Sequence, residues 1–141
     1  VQVGDCIVIF SNSGRNAVPV DMALEAKKRG MTVIAMTSLK HSAACAPRSR
    51  AKLRLFEAAD IVIDNAGRVG DAAVETEDHR MIGATSTAVG AALWQAILCR
   101  ADEILLSRGI AGETFASSNI DGGDEINEKL IRKYKGVVKC L

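Results

Sequence analysis

The chain has 141 residues, 48% of them hydrophobic and 25% charged, with a formal net charge of +1 at pH 7. That length predicts about one domain, and the composition is that of an ordinary globular protein with enough apolar mass for a core. A balance so close to neutral gives no electrostatic case for binding nucleic acid or a membrane surface. With no apolar run long enough for a membrane span and no signal peptide, a cytoplasmic protein is expected.

The first element is a strand. Ile7-Val8-Ile9-Phe10 is a short apolar run with β-branched residues, and it ends abruptly in Ser11-Asn12-Ser13-Gly14-Arg15-Asn16. Residues 17–29 then have helical spacing, with Pro19 in the first turn and Lys27-Lys28-Arg29 in the last, and Gly30 is the stop. Val18, Met22 and Ala26, with Leu24 beside them, are the expected buried stripe. A strand that turns sharply into a helix gathers free N–H groups and the positive end of the helix dipole at one spot, which favours an anion. Ser11 and Ser13 add hydroxyl donors there, and Gly14 permits close backbone approach. The same residues also suit a plain turn with an N-cap, so a phosphate cradle and a capped turn both fit. Neither the nucleotide P-loop nor the dinucleotide glycine pattern is present.

Met31–Met36 reads as a second buried strand, completing a strand–helix–strand unit and implying a parallel sheet covered on both faces. Thr37-Ser38 closes it with two hydroxyls at the edge where ligands collect in open α/β sheets, although the pair also suits a cap. Residues 41–59 predict a short helix interrupted near Pro47. They carry Arg48, Arg50, Lys52 and Arg54, either as a solvated basic face or as a contact for an anionic partner. His41 is either a turn residue or a proton carrier. Ala59–Asp64 predicts a third strand, followed by a long glycine-containing loop through Asp71 and a polar stretch, 73–80, of open form.

Thr85-Ser86-Thr87 supplies N-cap chemistry for the longest helix, along which Val89, Leu93, Trp94, Ile97, Leu98, Ile104 and Leu105 recur at helical intervals. Trp94 reads as core, and Gly90-Ala91-Ala92 as a smooth side for close helix packing or a dimer seam. Residues 114–118 predict a last strand. Asn119–Gly123 is a turn, and Asp124-Glu125 open a final helix whose stripe is Ile126, Leu130, Ile131 and Tyr134. Glu125–Lys129 and Glu128–Arg132 are favourable i,i+4 pairs. Cys6, Cys45, Cys99 and Cys140 lack C-x-x-C spacing and read as reduced thiols, with Cys6 and Cys99 acting as small hydrophobes. No metal site is expected, because neither histidine has a cysteine near it at ligand spacing.

The Ser11–Asn16 loop resembles the S-x-S-G-x-[TN] loop of the sugar isomerase (SIS) domain family. Val3-Gly4-Asp5, Val33–Ser38, Ala59–Asp64 and Thr85-Ser86-Thr87 follow in family order, so the resemblance covers essentially the whole chain. Asn12–Asn16 and Gly122-Gly123-Asp124-Glu125 are most similar to a bacterial SIS subgroup. The resemblance implies an α/β fold of three layers, a mostly parallel sheet with helices on both faces (flavodoxin-like). Because the family places a further strand, a glycine-serine loop and several helices earlier, residues 1–141 are expected to be the C-terminal portion of a single SIS domain. It further implies phosphosugar binding by Ser11, Asn12, Ser13, Gly14, Arg15, Asn16, Ser86 and Thr87, with no cofactor and a dimeric or tetrameric assembly. Aldose–ketose isomerisation is the chemistry implied for an enzyme. Asp124 and Glu125 are the candidate catalytic acids, although the histidine expected beside them is Ile126 here; His79 is a weaker candidate. The alternatives are a sugar-phosphate sensor without turnover and an oligomeric scaffold.

Overall fold

The apolar run after Asp5 forms strand β1 (Cys6–Phe10), and helix α1 (Ala17–Lys28) returns the chain to strand β2 (Thr32–Thr37). Two short helices, α2 (Leu39–Ala43) and α3 (Leu55–Ala58), precede strand β3 (Ile61–Asp64). These three strands make one parallel sheet in the order β1-β2-β3, with Phe10 opposite Met36 and Thr37 opposite Asp64. This register brings all three carboxyl ends to one edge. The loops that follow them, beginning at Ser11, Ser38 and Asn65, therefore share the edge where open α/β sheets bind ligands. An antiparallel hairpin, β4 (Ala72–Glu75) with β5 (Met81–Ala84), supplies the form that the polar stretch after Asp71 left open. Helix α4 (Ser86–Ser107) follows directly.

The computed structural model describes residues 1–139, and the chain divides into two compact units, Val1–Ala96 and a second from Ile97 onward. The first unit has its core between the sheet and α1 and α3, where Ile9, Val20, Ala23, Ala26, Val33, Ala35, Leu55 and Ala58 are buried together. The expected stripe on α1 is therefore corrected: Ala26 is buried, but Val18 and Met22 are 68% and 49% exposed, and the buried line is Val20, Ala23 and Ala26. Two alanines on that line let the helix lie close to the strands, a placement that spacing of large apolar residues does not reveal. Successive strand residues point to opposite faces. Ile9 enters this core, while Phe10 meets the opening turns of α4, with its ring 6.3 Å from that of Trp94 in an edge-on arrangement. Helices α1 and α3 thus cover one face of the sheet, and the opening turns of α4 lie against Phe10 on the other, where Phe10 stays 50% exposed. Gly90 is buried where a Cβ would stand 3.5 Å from the Phe10 ring, so this glycine serves helix-to-sheet packing, while Ala91 and Ala92 beside it are exposed.

In the second unit, α4 continues and helix α5 (Gly123–Tyr134) is the last element among the described residues. The strand expected at 114–118 does not form. In its place the Asn127 carboxamide donates to the Ala116 carbonyl at 2.9 Å and accepts from the Ala116 N–H at 2.8 Å, doing what a neighbouring strand would do. The Glu128–Arg132 pair forms at 2.7 Å, and Glu113 accepts from both Lys133 and Tyr134. The stripe on α5 is only partly covered: Leu130 and Tyr134 are half-buried, whereas Ile126 and Ile131 are exposed. Cys6 and Cys99 are exposed rather than packed, Cys45 is half-buried, and all three are free; Cys140 lies outside the described residues. Among the described residues no helix is long and apolar enough to cross a membrane.

Candidate functional site

The loop between β1 and α1 is held from beneath. Ser11 N–H extends the sheet ladder to the Met36 carbonyl at 3.0 Å, and Gly14 N–H closes a turn on the Ser11 carbonyl at 3.1 Å. The Gly14 amide, expected at a bound phosphate, is therefore committed to the loop itself. Gly14 is needed for a different reason. It has φ +57° and is buried, and a Cβ there would stand 3.0 Å from Ser42 Oγ and 3.2 Å from Leu55 Cβ. Its carbonyl accepts from Leu55 N–H at 2.8 Å, so the loop lies on α2 and α3 at this point. Arg15 is tied to the next turn: its Nε donates to the Ala46 carbonyl at 3.1 Å, and its carbonyl accepts from Arg48 N–H at 2.7 Å. One donor of the expected phosphate clamp is thus already engaged.

What is left free matches an anion. Ser11 and Ser13 are half-buried, and among the described residues their hydroxyls have no protein partner. The Ser13, Arg15 and Asn16 amides likewise have no backbone acceptor among those residues. Asn16 is the N-cap of α1 in extended conformation, and its side chain makes no cap hydrogen bond, which leaves the first-turn N–H groups of α1 open.

The hydroxyls at the end of β2 do otherwise. Thr37 and Ser38 are fully buried. Thr37 Oγ1 donates to the Asn12 carbonyl at 3.0 Å, and Ser38 Oγ donates to the Gly67 carbonyl at 2.7 Å while accepting from His41 N–H. They brace three loops rather than face a ligand. His41 is a bracing residue too, its Nδ1 accepting from Gly70 N–H at 2.9 Å. Arg54, in the basic stretch, forms a two-point pair with Glu57 at 2.8 and 3.0 Å, and that side-chain bond lowers the Glu57 carboxyl to about 2. His79 sits exposed in the hairpin turn beside Glu75.

A cavity of about 510 Å³ opens at this edge within the first unit. Ser11, Asn12 and Asn65 form one side, Ser86, Thr87 and Gln95 another, and Phe10, Met36, Ala91 and Trp94 its apolar surface. The volume falls within the range of small-molecule pockets, and the lining mixes an apolar wall with few polar groups. Of the sequence candidates, Ser11, Asn12, Ser86 and Thr87 are brought together here. Ser13, Gly14 and Arg15 continue the loop away from the wall, and Asn16 borders a neighbouring recess with Ser11, Pro19 and Met22. Trp94, read as core, is part of the wall. Asp124 and Glu125 stand exposed in the first turn of α5 in the second unit.

Three residues escaped the sequence reading. Asn65 is buried, and its Nδ2 donates to Asn12 Oδ1 at 2.9 Å, which fixes the orientation of the Asn12 amide; Asn12 Nδ2 is buried without a partner among the described residues. Gln95 joins the wall from α4. Asp71 caps α4 from a distance: its Oδ1 accepts from Thr85 N–H at 3.1 Å and Ser86 N–H at 2.9 Å, and its Oδ2 from Ser86 Oγ at 2.5 Å. The Ser86 hydroxyl, with the Ser86 and Thr85 amides, holds the Asp71 carboxyl below its usual range against the opposing effect of burial. Asp71 has φ +70°, a backbone state that an Asn-Ala-Gly loop signal alone does not assign to it.

Residues 1–38 match the model of the SIS domain family, a span that takes in β1, the Ser11–Asn16 loop, α1 and β2. The chain is also similar to several curated proteins. It is 44% identical over 131 residues to a UPF0309 protein of Halalkalibacterium halodurans, covering 92% of this chain and 54% of that one. With a UPF0309 protein of Oceanobacillus iheyensis the identity is 45% over 142 residues, covering 100% of this chain and 58% of the relative. With one of Geobacillus thermodenitrificans it is 41% over 142 residues, covering 100% and 57%. The chain thus spans between 54% and 58% of the length of these relatives.

Proposed function

From a chain with an SIS domain match across its β1–α1–β2 unit, we propose binding of a sugar phosphate, with the phosphate on the Ser11–Asn16 loop and the sugar in the adjoining cavity. One observation carries this reading. Unengaged hydroxyl and amide donors of Ser11, Ser13, Arg15 and Asn16 gather at the open N-terminus of α1, beside a cavity with polar groups on its opposite wall. The donors suit a dianion; the carboxamides of Asn12, Asn65 and Gln95 suit hydroxyl groups.

Aldose–ketose isomerisation is the chemistry proposed for this site, with sensing of a sugar phosphate without turnover as the alternative. Isomerisation through an enediolate needs a base to move a proton between adjacent carbons, and the described cavity lining brings no carboxylate, imidazole or amine to it. An isomerase built on this chain would have to draw that base from elsewhere, Asp124 and Glu125 being the proposed candidates. Assembly into dimers or tetramers is proposed with this reading, as a source of further site residues.

The test is calorimetry with inorganic phosphate and sugar phosphates. Ser13→Ala is expected to weaken both by about 1–3 kcal/mol, the cost of losing a hydrogen bond to a charged group. Unchanged affinity in that variant, or a crystallographic phosphate lying away from the Ser11 and Ser13 hydroxyls, would remove the loop from the site.

A further inference from the structure

Resting on the sugar-phosphate reading, we infer that Ser86 recognises a hydroxyl group of the sugar, as a hydrogen-bond acceptor, and that Asp71 enforces this polarity and keeps phosphate away from the start of α4. A serine hydroxyl has one proton and two lone pairs, and an ionised carboxylate only accepts. At 2.5 Å from Asp71 Oδ2, Ser86 Oγ is the donor of that bond, so its proton is committed behind the cavity wall. Ser86 lines the cavity, and with its proton given to Asp71 its oxygen has only lone pairs left to offer there. These accept from a sugar O–H and repel a phosphate oxygen.

The backbone says the same. Two of the amides at the α4 start, those of Thr85 and Ser86, donate to Asp71 Oδ1 and are taken from any incoming anion. The dipole end is already met by a carboxylate, and a second anion beside it would suffer like-charge repulsion. The two helix starts at this sheet edge therefore differ in kind. Among the described residues that of α1 has an unfilled cap and free donors, whereas at that of α4 the Thr85 and Ser86 amides and the Ser86 hydroxyl are already engaged by Asp71. A ligand with one anionic end and one hydroxyl end has a single favoured orientation, phosphate toward Ser13 and hydroxyl toward Ser86.

Calorimetry on the whole chain would use inorganic phosphate and glucose 6-, fructose 6- and ribose 5-phosphates as probes, against wild type, Ser13→Ala, Ser86→Ala, Ser86→Thr and Asp71→Asn. At least one sugar phosphate is expected to bind wild type more tightly than inorganic phosphate. Ser86→Ala should reduce that advantage about tenfold, the worth of one hydrogen bond of roughly 1.4 kcal/mol, with phosphate affinity itself held within about twofold. Ser86→Thr, which keeps the hydroxyl, should retain the advantage. Asp71→Asn should lower the ratio of sugar-phosphate to phosphate affinity by tightening phosphate, which a purely structural loss would not do. Equal weakening of both ligand classes by Ser86→Ala would put Ser86 on the phosphate and overturn the inference, as would an advantage that survives it or that no sugar phosphate shows in wild type. Ser13→Ala without effect on phosphate would instead overturn the underlying site, and a folded Ser86→Ala spectrum separates either result from misfolding.

Discussion

Replacing Gly14 by alanine is expected to lower the thermal midpoint of the first unit by about 10 °C or more, at a few kcal/mol and roughly 4–8 °C per kcal/mol for a unit of this size. Two costs combine. At φ +57° an L-residue bears about 1–2 kcal/mol of backbone strain. The new methyl would also meet Ser42 Oγ at 3.0 Å and Leu55 Cβ at 3.2 Å, and overpacking of that kind costs about 1–3 kcal/mol. Because Leu55 N–H donates to the Gly14 carbonyl, the loop cannot swing aside without breaking a main-chain bond, so phosphate affinity should fall along with stability. Ser42 offers an internal control. Its hydroxyl is buried without a partner among the described residues, so Ser42→Ala alone should be neutral or mildly stabilising, and it should relieve part of the damage in the double variant. Calorimetric melting of the four proteins checks this. An unchanged midpoint for Gly14→Ala would mean the loop does not rest on α2 and α3.

Removal of the Asp71 carboxylate is the second large effect. Asp71→Ala leaves two amides at the start of α4 and the Ser86 hydroxyl without their acceptor. Loss of an N-cap costs about 0.5–2 kcal/mol, and hydrogen bonds to a charged group about 1.5–3, so a total near 2 kcal/mol is expected for this half-exposed site. The pH dependence has a defined sign. The folded carboxyl is held below its usual value, chiefly by the Ser86 hydroxyl, so its contribution is present above the unfolded value of about 3.9 and is lost as pH falls through the folded one. Glu57, lowered to about 2 by Arg54, adds acid sensitivity over the range from its ordinary carboxyl value downward. Denaturant melts at successive pH values should therefore show wild type losing stability below about pH 4 more steeply than Asp71→Ala. Parallel acid profiles for the two proteins would exclude Asp71 as an ionised cap in the folded state.

Local order is legible in the sequence itself. Periodicity and punctuation in Ile7–Met36 specify strand, loop, helix and strand, because apolar runs, an early proline and a terminal glycine act on the residues beside them. For the same reason the Ser11–Asn16 loop could be singled out as a place where donors converge. Tertiary structure alone decided which face of α1 is buried, since Val20, Ala23 and Ala26 are chosen by the closeness of the sheet and not by residue size. It also decided that Thr37 and Ser38 brace while Ser11 and Ser13 stay open, that Asn65 orients Asn12, and that Asp71 occupies the start of α4. Those outcomes depend on hydrogen bonds between loops far apart in the chain. A donor's neighbours in sequence say what it can bond; only the closing of the fold determines which acceptor reaches it first.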